Sequence, residues 1–570
     1  MNAERLMAHY EEIAEAPDAV ARLRRFILDL AVMGKLVTQN PNDEPAIELL
    51  RRIAAKRQQL VDAGEVKVRN SGARSRDKTS AFACPTGWTL SNLGAVSLKI
   101  TDGAHKTPTY VDKGVPFISV KDFSGGSLDF SNTRFIPKSE HELLFQRCDP
   151  RRGDILIGRI GTLGKAVLID TDVEFSLFVS VGLIRFDHDN LDPVFFRLLL
   201  NSPFVEAEFD RIKIGGGSHT NKLNLGDLYT VALPVPPLAE QRRIVAKVGE
   251  LMVLCDRLET ARATREATRD RLAAVSLSRL SVPNSETFQS DARFALDALT
   301  ALTARPDQIK QLRQSILNLA VRGKLVPQLA GRPILDLPPL PQSSVASSMD
   351  AAVFREFRSS LILPNGWQVA PLAQLADRIV DCPHTTPNWT KEGVICVRTS
   401  QLRPGSLDLA DPRFVSEHEY TERIERLEPK PGDILYSREG GILGVACRVP
   451  VGIRLCLGQR LMLIRAGTAV LPEFLEVVLN SPFITDIAKA CTTGGAAPRV
   501  NMSTVRAYPI PVPPLSEQEQ IIAELKSLMA LCDRLEMCLS SEVETRARLL
   551  AALLAEALTP ADDRELEAAE

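Results

Sequence analysis

The sequence predicts an α+β protein: two mixed α/β domains separated by two long antiparallel coiled-coil helices, arranged as a pseudo-two-fold internal repeat. Three observations predict it. The chain is written twice, each copy has a β-rich middle, and each middle runs into a helix with heptad spacing.

The repeat is read directly from the residues. Leu23–Val37, LRRFILDLAVMGKLV, matches Leu312–Val326, LRQSILNLAVRGKLV, at eleven of fifteen positions. TDGAHKTP from Thr101 is answered by VDCPHTTP from Val380, and GDILIGRIGTLG from Gly153 by GDILYSREGGILG from Gly432. LPVPPLAEQ from Leu233 is answered by IPVPPLSEQ from Ile510, and LMVLCDRLE from Leu251 by LMALCDRLE from Leu528. The offsets stay between 277 and 289, so order is kept with small insertions.

The elements follow in order. Residues 1–70 form an N-terminal helical segment. In it Ile27, Leu28, Leu30 and Ala31 make a short amphipathic helix; Gly34, like Gly323 in the second copy, breaks it. Residues 85–238 and 361–515 are the two globular middles. Runs such as Val115–Val120 and Asp154–Ile157 read as strands, and Pro193–Leu200 and Pro472–Leu479 as helices. Pro234, Pro236 and Pro237, and Pro511, Pro513 and Pro514, end each middle in extended chain. The central helical spacer region, 239–330, and the C-terminal coiled-coil helix, 516–560, follow; Ser516 with Glu519 fits a capping box that Ala239 lacks. Ile244, Val248, Leu251, Cys255 and Leu258 repeat at heptad spacing, as do Ile521, Leu525, Leu528, Cys532 and Leu535, which predicts a coiled-coil seam. The seam weakens where Arg262, Arg265 and Arg269 fall on it. Residues 331–360, rich in Pro and Ser, read as a linker. Two helices joining the same two bodies in opposite order must run antiparallel, and roughly 40 residues span ~60 Å.

Composition sets outer bounds. Of 570 residues 45% are apolar, 25% charged and 5% aromatic, which is globular composition with room for several domains. The apolar runs fall short of a membrane span, and Met1–Arg5 opens no signal peptide, so a soluble cytoplasmic protein without membrane partners is expected. The ten cysteines form no CxxC pair and read as buried free thiols in a reducing compartment. Net charge is −2, but residues 541–570 hold eight acids and three bases, which leaves +3 on the rest. Composition therefore neither supports nor excludes nucleic acid, whose recognition needs a local basic surface.

The helical pieces are near-duplicates, whereas Asp102–Pro116 matches Asp381–Ile395 at only six of fifteen positions. A repeated frame with individual heads fits two unlike DNA half-sites separated by an unread gap. On the paired DGAHKTP/DCPHTTP, GDIL, PPLxEQ and ILxLAVxGKLV motifs, in this order and twice, the chain resembles the specificity subunit of a type I restriction–modification system. The resemblance covers nearly the whole chain. It implies two target-recognition domains, double-stranded DNA as ligand, and no catalysis by this chain. It also implies two DNA methyltransferase subunits using S-adenosylmethionine and ATP-dependent, Mg-requiring restriction subunits, in defence against foreign DNA; no cofactor is expected in this chain itself.

Polar residues in Gly-flanked turns suit base edges and phosphates. The DNA-binding candidates are His105, Lys106, Thr107, Lys121, Arg159, Ser218, His219, Thr220 and Lys222 in the first head. In the second they are His384, Thr385, Thr386, Arg398, Arg438 and Arg499. Asp154 and Asp433 read as turn formers. Asn201-Ser202-Pro203-Phe204 and Asn480-Ser481-Pro482-Phe483 resemble an amino-methyltransferase signature, but Ser stands at the second position and no glycine-rich cofactor loop accompanies them. Gly158–Lys165 resembles a phosphate loop with wrong spacing, Ala166 in place of Ser or Thr, and a strand rather than a helix expected after it. The same architecture also fits the specificity subunit of a type II system cutting both sides of its site, or a coiled-coil scaffold without a DNA role.

Overall fold

The computed structural model describes residues 15–16, 18–66, 84–161, 163–215, 221–281, 287–327, 335–339, 349–494 and 498–558. They fall into two compact units, 1–263 with 543–570, and 264–542.

The head of the first unit is built on a four-stranded antiparallel sheet in the order Ser97–Asp102, Val181–Phe186, Ile155–Gly158, Ala166–Leu168. Strand Ile155–Gly158 is buried on both faces, which is why it reads as an unbroken apolar run. Successive side chains divide between two cores, as period-2 geometry requires. Ile155 and Ile157 join Phe195, Phe196 and Leu199 of helix Pro193–Leu200, while Leu156 joins Ile118, Phe123 and Leu177. The latter belong to the layer of a three-stranded sheet, Arg134–Ile136, Val115–Ile118 and Ser176–Leu177. Strand Thr89–Asn92 pairs with Ala232–Val235, which closes the head by joining its two ends.

The second unit has the same strand order: Ala376–Asp381, Leu461–Ala466, Ile434–Ser437, Ala446–Arg448, with Phe414–Val415, Val394–Val397 and Leu455–Leu457 as the smaller sheet. Gln368–Pro371 pairs with Pro509–Val512. A hairpin, Leu402–Arg403 with Ser406–Leu407, is added. The region expected to be a linker contains the helix Ala351–Arg358, whose Val353 is buried in the core of this unit.

Each head is followed by a 44-residue helix, Leu238–Ser281 and Leu515–Leu558, about 66 Å long at 1.5 Å per residue. The second begins at Leu515, so Ser516 lies inside its first turn and does not cap it. The first turn is fixed by the PPLxEQ motif. The Trp88 indole donates to Glu240 at 3.0 Å, and Gln241 accepts from the Asp192 amide at 2.9 Å while donating to the Pro236 carbonyl at 2.9 Å. Trp367 donates likewise to Glu517 at 3.0 Å, and Gln518 links the Leu471 amide and the Pro513 carbonyl.

The first heptad residues are buried as spaced, with Leu251 and Leu528 half-buried, but their partner is not the one expected. Ile244, Val248 and Cys255 share a core with Ile27, Ala31 and Val32 of the short helix Ala19–Val32. Ile521, Leu525 and Cys532 do the same with Ile309, Ile316 and Val321 of Pro306–Val321. Leu258 and Leu535, expected to continue the seam, are 37% and 38% exposed. Arg24 bonds Asp256 and Glu259 at 2.6 and 2.8 Å, and Arg313 bonds Asp533 and Glu536 at 2.7 and 3.1 Å. Exposed pairs of this kind contribute little energy, so the apolar seam supplies stability and the arginines fix register. Further along, Leu550, Leu553 and Leu554 pack on Ala16, Ala19 and Phe26. In the second unit Ala273, Leu277 and Leu280 pack on Ala295, Ala298 and Leu302.

Gly34 and Gly323 end the short helices at φ +67° and +65°, with the Lys35 and Lys324 amides each bonded at 2.9 Å to a carbonyl five residues back. All ten cysteines are free thiols. No helix among the described residues is long and apolar enough to cross a membrane.

Asp29 gives a test of this packing. Burial pushes its carboxyl up to about 6, Arg25 opposing and Glu206 adding to the shift. A folded-state value above the unfolded one means that stability falls as pH rises from about 4 to about 6. The second copy carries Asn318 at this position. Asp29→Asn is therefore expected to raise stability above pH 6 by about 1–2 kcal/mol and to leave it nearly unchanged at pH 4. Denaturant unfolding at the two pH values checks this; equal effects at both would refute it.

Candidate nucleic-acid interface

Around Asp102 in the first head and Asp381 in the second, hydrogen bonds bring together residues from three distant segments at one end of the four-stranded sheet, while Lys121 and Arg398 lie on a fourth segment apart from them. In the first head the organising group is Asp102, the buried last residue of its strand. Its carboxylate is bonded by Arg159 and Arg147, and His105 Nε2 lies 3.2 Å away. Arg159 also donates from Nε to the Leu223 carbonyl at 3.1 Å, and the Leu223 amide donates to the Arg159 carbonyl at 2.8 Å. These bonds tie Asp102, Arg159 and Leu223 together, from three segments of the head.

The second head repeats the arrangement. Arg438 donates to both oxygens of Asp381 at 3.1 and 2.7 Å, and His384 Nε2 lies 3.3 Å from the same carboxylate. The Val500 amide donates to the Arg438 carbonyl at 2.9 Å, and Gly440 to Pro498 at 2.9 Å.

Within this frame the candidates divide by exposure. His105, Lys106, Thr107 and Lys222 are exposed at the rim, as are His384, Thr385, Thr386 and Arg499. The Thr385 carbonyl accepts from Arg423 and the Thr386 hydroxyl from Gln459, which holds that loop. Lys121 is exposed beside the three-stranded sheet and donates to the Asn132 carbonyl at 3.4 Å. Arg398 is half-buried, 3.8 Å from Asp411 and over the Trp389 ring. Arg159 and Arg438 are buried, and their guanidiniums are committed to Asp102 and Asp381. Ser218, His219 and Thr220 lie outside the described residues.

The two aspartates are what sequence reading missed, although both copies place an Asp three residues before the loop histidine. Asp154 and Asp433 form turns as expected. Each accepts from the amide three residues earlier and from an arginine across the sheet, Arg185 or Arg465. Asn201 and Asn480 are equally committed: each side chain brackets the amide and carbonyl of Ala166 or Ala446, while Ser202 and Ser481 cap the next helix. The tetrads are helix–helix joints. The loop after Gly158 leads into strand Ala166–Leu168, as expected.

Two heads with like frames and unlike rims define a bipartite binding protein. The chain matches the family profile of the type I restriction modification DNA specificity domain twice, over residues 85–265 and 366–545. It belongs to that family: it is a DNA specificity chain and not the catalyst. Among its relatives are two type I restriction enzyme specificity subunits of Escherichia coli. The EcoEI subunit is 26% identical over 95% of this chain and 94% of that one. The EcoAI subunit is 25% identical over 94% and 93%. Similar solved structures include a chain from a type I R-M system, at 19% identity over 84% of this chain and 99% of that one with a TM-score of 0.47. The HsdS subunit from Thermoanaerobacter tengcongensis is 20% identical over 84% and 98%, with a TM-score of 0.40.

Asp102→Asn is expected to leave the buried Arg159 cation uncompensated and to cost about 3–5 kcal/mol of stability. His105→Ala, at the exposed rim, should stay within about 0.5 kcal/mol. Denaturant unfolding of both variants measures the contrast, and equal effects would show that Asp102 does not organise the loops.

Proposed function

We propose that each head reads one half of a bipartite, asymmetric DNA target, and that the chain directs two methyltransferase subunits and ATP-dependent restriction subunits to it in the cytoplasm. The observation that carries the reading is the repeated Asp–Arg frame with different exposed residues around it. His105, Lys106, Thr107, Lys121, Lys222, His384, Thr385, Thr386, Arg398 and Arg499 are the groups proposed to touch DNA, together with Ser218, His219 and Thr220. Arg159 and Arg438 hold the loops that carry the others. S-adenosylmethionine, ATP and Mg serve the partner subunits, and this chain binds none of them. Exchanging residues 85–238 for the equivalent domain of a relative tests the independence of the heads. Mapping of methylated adenines should show one half-site changed and the other kept; a change in both would defeat the reading.

The long helices are proposed as the spacer that sets the gap between half-sites. Contacts inside the first unit support an antiparallel course. Arg262 bonds the Ala16 carbonyl and Arg24 bonds Asp256, so the short helix runs against the first long helix. Arg22 bonds the Ala547 carbonyl and Lys35 the Leu558 carbonyl, so it runs along the second. Seven residues inserted after both Arg265 and Glu542 would spare the arginine-locked seams and add ~10 Å, or about three base pairs. Methylome mapping should then find both half-sites kept and the gap longer. An active variant with an unchanged gap would remove the helices as the ruler.

A further inference from the structure

We propose that Arg134 in the first head and Arg413 in the second each read a base edge in duplex DNA, held for that task by an exposed aromatic platform, Tyr110 or Trp389. The proposal rests on the reading that each head recognises a half-site, and it names residues that the sequence did not single out.

Tyr110 and Trp389 occupy the same repeat position, three residues after Thr107 and Thr386. They are 38% and 37% exposed, unusual for rings of this size in a protein with few aromatics. Each carries an arginine. The Arg134 guanidinium stands 4.5 Å from the centre of the Tyr110 ring, and those of Arg413 and Arg398 stand 5.6 and 6.0 Å from that of Trp389.

The pairing is built into the backbone. The Val111 amide donates to the Phe135 carbonyl at 3.0 Å and the Thr390 amide to the Phe414 carbonyl at 2.9 Å. The same bond in both heads therefore locks the ring's segment to the edge strand beside the arginine. Behind Tyr110, Phe117 packs edge-on at 6.2 Å.

Neither Arg134 nor Arg413 has a carboxylate partner among the described residues. Other arginines of the same heads do: Arg147, Arg152 and Arg185 are ion-paired in the first, and Arg403, Arg448 and Arg465 in the second. An arginine stacked on a ring keeps its rigid fork of N–H donors free and loses less freedom on binding. That fork matches the O6 and N7 acceptors of guanine in the major groove. The two platforms differ, a phenol with one arginine against an indole with two, so the heads would favour different bases.

The test uses the full chain assembled with its methyltransferase partners and a panel of duplexes varied one base pair at a time. Arg134→Ala should weaken cognate binding about 5- to 140-fold, equivalent to ~1–3 kcal/mol at 1.4 kcal/mol per tenfold. It should abolish preference at one position of one half-site and leave the other half-site intact; Arg413→Ala should do the reverse. Tyr110→Ala should relax the same position as Arg134→Ala, and Tyr110→Phe, which keeps the ring, should restore it. Because these side chains are exposed, thermal unfolding should be unchanged. A uniform loss over all duplexes with a salt slope shallower by about one would mean a phosphate contact and overturn base reading. Unaltered discrimination would overturn it as well. A wild-type complex without sequence preference would overturn the half-site reading first, and is seen before any substitution is made.

Discussion

The buried bond between an indole and the first turn of a long helix is the constraint on which the rest of the structure depends. Trp88 to Glu240 and Trp367 to Glu517 join the start of each head to the residue at which its chain leaves. Burial pushes the Glu240 carboxyl upward, so the bond is maintained against a desolvation cost. Gln241 and Gln518 satisfy the loop that precedes the head's core helix from the same helical turn. Prolines 236, 237, 513 and 514 leave the connecting chain little freedom. With the departure point fixed, the apolar seam against the short helix and its arginine locks have a defined register to meet.

The rim obeys a second constraint of the same kind. A loop that displays polar groups to a ligand must itself be held, and in both heads a carboxylate at a strand end does the holding, buried at Asp102 and partly buried at Asp381. Breaking such a pair leaves an uncompensated buried charge, so the pair resists substitution while the residues around it do not. This explains how two heads can keep one geometry and present different chemistry. It also explains why Arg159 and Arg438 stand among the candidate residues in sequence and inside the fold in space.

The repeat, the strand-rich heads, the helix breakers and the turn aspartates were legible because each is a local pattern. The heptads were legible as a face but not as a contact. Periodicity states which side of a helix is apolar and is silent on what covers it; here the cover is Ala19–Val32 and Pro306–Val321. Asp102 and Arg159 are 57 residues apart, as are Asp381 and Arg438, and no spacing rule joins them. The stacking of Arg134 on Tyr110 is equally non-local. The helix at Ala351–Arg358 was hidden by the Pro- and Ser-rich chain before it, which drew the whole stretch into a linker. The tetrads at Asn201 and Asn480 mislead for the opposite reason: an amide that brackets a neighbouring strand needs the same residue type as one that binds a nucleobase.

The two sheets of a head differ in how much side-chain identity they demand. In the four-stranded sheets, Ile155, Ile157 and Ile184 of one head correspond in the repeat to Ile434, Tyr436 and Ile464 of the other, all fully buried and all large. In the smaller sheet the register is kept while the content changes: Phe117 lies opposite Ser176 in one head, and Cys396 opposite Cys456 in the other. Those strands are joined by main-chain bonds, which are indifferent to the side chains they carry. With register set by main-chain bonds, the strands keep their pairing while the side chains they carry change. The smaller sheet, whose edge strand carries Arg134 or adjoins Arg413, is therefore where a head can change its exposed side chains while the larger sheet and the helix anchor keep it in place.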